Sequence, residues 1–352
     1  MDSNSSDVLF GLDGVTGTIT LNRPGAMNAL THDMALRIRS QLVDWSGDNA
    51  IKHVVIKAAG EKAFCAGGDV RKLYEQGMAQ DKGFLAFYHD EYQLNTMIKR
   101  YGKPYIAFID GIVMGGGVGV SFHGSHRILT EKATFAMPET GIGLFPDVGG
   151  TYFLPRCPGS IGMYLGLTGA RLKAGDSLYA GLATHYVPRS QLEPLLVRLN
   201  EVSADDAIAE FSENLEPGNL DQIRNWIDET FCGSSVEDIV ARLDGLVGEA
   251  GEWGRKMAAL IATKSPTSLK ITFRQIQKGR TLSFEDCMRI EYRMANRIFG
   301  APDFFEGTRA IIIDKDNAPK WSPGDLAGVS DELVDEFFAD LGKNELELPA
   351  YG

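Results

Sequence analysis

The chain has little of what would send it to a membrane, a nucleic acid or an oxidising compartment. No stretch approaches the roughly 18 uninterrupted apolar residues that a membrane-spanning helix needs. Basic side chains are outnumbered, 35 Lys and Arg against 47 Asp and Glu, for a net charge of −12. Binding nucleic acid as the main partner takes a basic face that neutralises phosphates, and this balance argues against one. A phosphorylated small molecule needs only a local basic patch and stays open. The four cysteines, Cys65, Cys157, Cys232 and Cys287, are scattered over 352 residues. They make no CxxC pair and no His stands at ligand spacing, so reduced thiols and no metal are expected. The opening MDSNSSDVLFGL has neither a basic-then-apolar signal pattern nor an Arg-rich amphipathic one, and the closing LPAYG is not a peroxisomal tripeptide. A cytoplasmic location is the expectation.

What is present is a soluble globular composition, 44% apolar and 23% charged, in a chain long enough for a full core and about two domains. The stretch that organises it is GIVMGGGVGVSFHGSHRILTEKATFAMPETGIGLFPDVGGTYFLP, residues 111 to 155. Three successive glycines, Gly115, Gly116 and Gly117, follow a buried-looking strand at 105–109. They precede Val118 to Ile128, which has the length and composition of a short helix. Such a glycine run is costly in backbone entropy and marks a place where something approaches the backbone closely. A strand, a glycine turn and a helix N-terminus aim N–H groups outward, ready for a phosphate or a developing oxyanion.

The same arrangement occurs some 48 residues earlier, in EKAFCAGGDV. Gly67 and Gly68 follow HVVIKAAG, a strand apolar enough for burial on both faces, and Asp69 is placed to cap a helix beginning VRKLYEQG. Two strands are expected over 8–22, a helix over 28–45 capped by Thr31 or Asn28, and a helix over 84–101 that carries Glu91. Residues 190–250 read as charge-rich and helical, 251–322 as further helices, and the remainder as a mobile acidic tail.

Sharper motifs fail. Neither glycine turn is a GxGxxG or a GxxxxGK[ST] loop. His123 stands where a nucleophile elbow would close with Gly, so Ser121 reads as a helix residue. His123 and His126 lack a carboxylate partner for a metal. What survives is two glycine turns and two carboxyls, Glu139 in FAMPET and Asp147 in FPDVGG. Among Phe135, Met137, Leu144 and Phe145 these carboxyls would be partly desolvated, and their raised pKa would suit proton transfer near neutrality. On the residues alone both read equally well as helix caps, and Glu91 reads as a solvated helix carboxylate.

EKAFCAGGDV, GIVMGGGVG, AMPETGIGLFPDVGGTYFLPR and KSPTSL together resemble the crotonase (enoyl-CoA hydratase/isomerase) superfamily. With DFFEGTRAIIIDKDNAPKW, the string is similar to its 3-hydroxyisobutyryl-CoA hydrolase branch. The likeness runs from about residue 8 to about residue 322. It implies an α/β fold of repeated ββα turns in a superhelical core (residues 1–190) with a mainly helical C-terminal region (191–352). It implies an acyl-CoA thioester as ligand, no separate cofactor, and a homo-oligomer, trimer or hexamer. By that resemblance Gly68 and Gly116 supply the oxyanion-hole N–H groups. Ala66, Gly67, Asp69 and Val70 follow the CoA, and Lys315 is a candidate contact to a CoA phosphate. Hydratases of the superfamily carry a catalytic Glu where this chain has Gly119, their second Glu aligns with Glu139, and they usually have glycine where this chain has Asp147. The hydrolase branch pairs Glu139 with Asp147 instead, and Glu91 matches its substrate-contact position. The implied reaction is hydrolysis of a short 3-hydroxyacyl-CoA, 3-hydroxyisobutyryl-CoA of valine breakdown first among them. A hydratase or isomerase, or a CoA-binding protein without activity, are the alternatives.

Overall fold

A computed structural model describes residues 6–81 and 83–349. Residues 8–22 form the expected pair of strands, β1 (Val8–Asp13) and β2 (Thr16–Leu21), antiparallel with Val8 opposite Leu21. There follow β3 (His53–Ala58), β4 (Ala63–Cys65), β5 (Tyr105–Ile109), β6 (Ile112–Met114), β7 (His126–Leu129), β8 (Thr134–Ala136), β9 (Leu172–Lys173) and β10 (His185–Tyr186). They sort into a six-stranded sheet, β1-β2-β3-β5-β7-β10, and a four-stranded one, β4-β6-β8-β9. From β2 to β10 the first sheet is parallel, and so is the second from β4 to β8. Strands β3, β5 and β7 of the first sheet each hand the chain to a short strand of the second, β4, β6 and β8. The ββα repeat is this alternation, and it brings successive turns to one edge.

Burial of HVVIKAAG on both faces has a simple cause. Val54 and Ile56 point into the main core, whereas Val55 joins Ile106, Phe108 and Ile128 in a second cluster. That cluster is closed by Leu195, Leu196, Leu199, Ala207 and Ile208 from two helices beyond residue 190, so this part of the charge-rich segment covers the outside of the sheet.

Along the chain the first helices are α1 (His32–Gly47), α2 (Val70–Met78), α3 (Gly83–Lys99) and α4 (Gly116–Gly119). Thr31 caps α1 by accepting the Met34 N–H, and Asp69 caps α2 by accepting that of Lys72. The helix expected over 118–128 is much shorter and starts earlier. It spans Gly116–Gly119, the chain turns through 120–125, and Ile128 lies in β7 opposite Phe108. A side chain at Gly124 would meet the Tyr105 carbonyl oxygen at 2.6 Å, so this turn is pressed against β5 and leaves no room for a continuing helix.

Four helices complete the part that matters for the site: α5 (Gly150–Phe153), α6 (Pro266–Gly279), α7 (Phe284–Ile298) and α8 (Pro302–Thr308). The acidic tail is not loose. Residues Asp331–Phe338 form α9, capped by Ser330, with Val334, Phe337 and Phe338 buried. Its acids face outward to Arg274 and, just beyond, to Arg293, so a segment that reads as polar in composition is amphipathic in place.

Candidate active site

Both glycine turns arrive at one place. The Gly68 N–H has no backbone acceptor among the described residues, because Leu30 engages the amides and carbonyls on either side of it. The Gly116 N–H opens α4, where the first amides of a helix lack internal partners. The three glycines of the second turn are demanded by contact. A Cβ on Gly116 would come within 2.7 Å of Glu91 Oε1 and 3.2 Å of the Gly68 nitrogen. One on Gly115 (φ 44°) would sit 3.3 Å from Glu139 Oε1, and one on Gly117 only 2.3 Å from the Cys65 carbonyl oxygen. Two free N–H groups and two carboxyls therefore face each other across a gap only glycine keeps open.

Those groups line a cavity of about 670 Å³, together with Ala66, Gly67, Val70, Tyr88, Leu144 and Asp147. Glu91, Glu139 and Asp147 are all buried. Burial raises every one of them. Glu139 is pushed well above the usual carboxylate range, first by desolvation and then by the charge of Asp147. Glu91 is raised by desolvation, Asp147 and Glu291 in that order. Asp147 is pushed up to about 7 by desolvation, held back by the Tyr92 hydroxyl, which donates to Oδ2 at 3.1 Å. Glu91 Oε1 and Glu139 Oε2 have no hydrogen-bond partner among the described residues, which leaves both oxygens for a ligand.

The turn carrying Asp147 is strained and clamped. Val148 holds φ at 47°, unusual for a β-branched residue, and Gly149 holds 93°. The His123 ring, at 2.6 Å through Nε2, bonds the Val148 carbonyl oxygen. Glu291 of α7 accepts the N–H of Gly149 on one oxygen and that of Thr151 on the other, each at 2.8 Å. Glu291 is buried and its pKa is raised to about 8, again first by desolvation. These two residues fasten the turn from opposite sides and position Asp147 without lining the cavity.

Expected and observed site residues differ at the edges. Asp69 does not line the cavity: its carboxylate caps α2 and pairs with Arg23 at 3.1 Å. Lys315 is exposed in a loop whose neighbours Ile312 and Asn317 reach the cavity while it does not. The cations that do line it are Lys264 and Arg171, neither in an ion pair among the described residues. Burial lowers the Lys264 pKa. Lys264 opens the KSPTSL motif, and only the fold brings it to the cavity. Tyr92 and Glu291 leave no sequence pattern, since Tyr92 meets Asp147, and Glu291 the amides of Gly149 and Thr151, only through folding. Ser121 is buried and bonds the Gly117 carbonyl, and so it is no nucleophile.

Gly119 also finds its reason here. A Cβ at that position would lie 2.8 Å from Asn95 Nδ2 and 3.0 Å from Val148 Cβ, so the space a longer side chain would take is filled.

The family model described as enoyl-CoA hydratase/isomerase matches residues 16–338. The chain belongs to that family. Its similarity to a mitochondrial 3-hydroxyisobutyryl-CoA hydrolase of Danio rerio is 47% identity, over 97% of this chain and 92% of that one. The Homo sapiens protein of the same name is 42% identical over 97% of this chain and 91% of its own length. Among solved structures, one titled a carnitinyl-CoA dehydratase from Mycobacterium thermoresistibile superposes with a TM-score of 0.92 at 40% identity, covering 97% of this chain and 99% of that one. One titled an enoyl-CoA hydratase from Rhodobacter sphaeroides gives 0.91 at 39%, covering 97% and 100%. This is the crotonase fold, with the ββα core and the helical C-terminal region intact.

Proposed function

We propose that the protein hydrolyses a short 3-hydroxyacyl-CoA thioester, 3-hydroxyisobutyryl-CoA above others, to the 3-hydroxy acid and free CoA. The observation that carries this reading is the pairing of Glu139 and Asp147 in one buried cavity beside the free N–H groups of Gly68 and Gly116, with the position that would arm a hydratase reduced to Gly119. The long relatives named as hydrolases of this thioester agree with it.

In this scheme the thioester oxygen lies between the Gly68 and Gly116 amides, which stabilise the charge it gains as the carbonyl carbon becomes tetrahedral. Burial raises both Glu139 and Asp147, and the charge of Asp147 raises Glu139 further, so in this scheme one carboxyl of the pair is ionised and the other protonated when the substrate reacts. The ionised member takes the proton of the attacking water, or attacks the carbonyl itself to give an anhydride that water opens. The protonated member gives its proton to the departing thiolate as the C–S bond breaks. Atoms balance as one water consumed and one acid and one thiol formed. The unpartnered Glu91 Oε1 accepts the substrate's 3-hydroxyl, and acyl groups without that hydroxyl leave it unsatisfied. Lys264 and Arg171 take the CoA phosphates in place of Lys315. The product acid belongs to valine breakdown.

The test is thiol release from 3-hydroxyisobutyryl-CoA beside isobutyryl-CoA, with crotonyl-CoA hydration followed in parallel because two of the solved neighbours are titled a hydratase and a dehydratase. Thiol release selective for the hydroxyacyl substrate supports the reading, and hydration without thiol release ends it. The proposal includes a cytoplasmic location, against the mitochondrial names of the vertebrate relatives, and a trimer or hexamer. Cell fractionation and sedimentation check these two.

A further inference from the structure

Behind the Asp147 turn lies a second, smaller cavity of about 170 Å³ that shares no lining residue with the catalytic one. Three cations from separate elements converge on it: Lys99 at the end of α3, Arg127 in β7 and Arg156 after α5. In a chain of net charge −12, none of the three is in an ion pair among the described residues. Arg156 stacks on the Tyr152 ring with Cζ 3.7 Å from its centroid, and Lys99 Nζ stands 5.2 Å from the same centroid. One aromatic ring thus gathers two positive charges.

The remaining donors are instructive. Arg127 spends Nε on the Leu182 carbonyl at 2.8 Å and Nη1 on that of Gly124 at 3.2 Å, with its second terminal nitrogen unbonded among the described residues. Arg156 holds three carbonyls, of Tyr152, Gly279 and Leu282, which locks its guanidinium in place without neutralising it. Lys99 donates to nothing among the described residues. Glu285, whose charge acts on Lys99, is already gripped by Arg100 at 2.6 and 2.9 Å. The other polar walls bring no negative charge. His123 is neutral, its pKa pushed down to about 3 by burial, and the Cys157 thiol is pushed up to about 12. Lys99 itself is lowered by burial and then by Arg127, Arg100 and Arg156, as unneutralised like charges require.

Like charges held together by carbonyls and a ring, with donors left over, are the layout of an anion site. We propose that this cavity binds a small phosphate-class oxoanion, free inorganic phosphate or the phosphate end of a monoester, between Lys99, Arg127 and Arg156. The volume admits a five-atom oxoanion and excludes a whole nucleotide. The wall nearest the catalytic turn is His123, whose ring bonds the Val148 carbonyl, so an occupant lies one side chain from the strained turn that positions Asp147.

The experiment is calorimetric titration of the full chain with inorganic phosphate and, separately, with glycerol phosphate, at matched ionic strength in a chloride buffer. Saturable binding of either anion is expected in the wild type. It should weaken about tenfold or more in Lys99→Gln and in Arg156→Gln, since hydrogen bonds between charged groups are the strong ones. It should persist in Lys264→Gln, which removes one of the two competing cations of the catalytic cavity, and in Lys264→Gln with Arg171→Gln, which removes both. Binding of both anions identifies the phosphate group as what is recognised, and binding of the free ion alone restricts the site to it. The absence of saturable binding in the wild type overturns the proposal, as does binding lost in Lys264→Gln but unchanged in Lys99→Gln and Arg156→Gln. Circular dichroism of each variant separates loss of binding from loss of fold.

Discussion

Two regions of the molecule treat charge in opposite ways. Around the glycine turns, Glu91, Glu139, Asp147 and Glu291 are buried, face no cation in an ion pair among the described residues, and are all raised in pKa. On the helical surface, Arg309 binds Glu306, Asp314 and Asp316, and Arg198 binds Glu201 and Glu210, with Glu306 lowered to about 2 by its hydrogen bonds to Arg309. In these surface networks each of the named carboxylates has an arginine partner. The buried cluster keeps carboxyls short of partners, and burial without a partner raises all of them, Asp147 to about 7 and Glu291 to about 8. Burial of unpaired acid costs stability.

The sharpest way to break this contrast is to neutralise the cluster. Glu139→Gln and Asp147→Asn should each lower kcat for thiol release by about 10²–10⁴-fold, the usual weight of a positioned acid or base. A steady-state assay at saturating substrate reads it. Next in size is Gly116→Ala, whose new methyl would press on Glu91 Oε1 and the Gly68 amide. A loss of about 10²–10³-fold in kcat is expected, comparable to removing one oxyanion donor.

The pH dependence sharpens the comparison from the stability side. Asp147 titrates near 7 when folded and near its ordinary value of 3.8 when unfolded. Its folded pKa is raised, so the stability linked to it is fully present below the unfolded value and is lost as pH rises through about 7. Asp147→Asn should therefore raise the melting temperature at pH 8 relative to wild type and lose that advantage at pH 4. In activity, the acidic limb of the kcat/KM profile should fall near neutrality, and it should move or vanish in Asp147→Asn.

Glu291→Gln comes next. Its amide nitrogen cannot accept, so one of the Gly149 and Thr151 N–H groups is left facing a donor, at a cost of about 1–3 kcal/mol in a denaturant titration. Because Glu291 touches no ligand-facing surface, kcat should drop with KM little changed. The smallest effect is reserved for the surface: Arg198→Ala should leave thiol release and melting temperature at their wild-type values.

How far the sequence disclosed this site depended on the kind of contact. Glycine turns announce themselves as runs, and at Gly116 a Cβ would stand 2.7 Å from Glu91 Oε1, whereas at Gly68 it would make only ordinary contact with Phe87 at 3.4 Å; the family likeness singled out these two positions. Glu139 and Asp147 were visible as carboxyls on proline- and glycine-bounded turns, although only the family likeness separated them from helix caps. Glu91 read as solvated because its helix, α3, is buried on nearly every side from Tyr88 to Ile98, a property of packing that periodicity cannot show. Glu291 was hidden more deeply, lying 142 residues from the Gly149 amide it holds. The tail reads as mobile for a related reason. Its acids dominate the composition, while Phe337 and Phe338 decide its place.

The central claim is that the buried pair works on a thioester and not on a double bond. Thiol release from 3-hydroxyisobutyryl-CoA, followed with a thiol reagent in wild type and Glu139→Gln, tests it most directly. Rapid release by the wild type, lost in the variant while CoA still binds, is the result this account expects. Equal release by both proteins, or hydration of crotonyl-CoA without release, would contradict it.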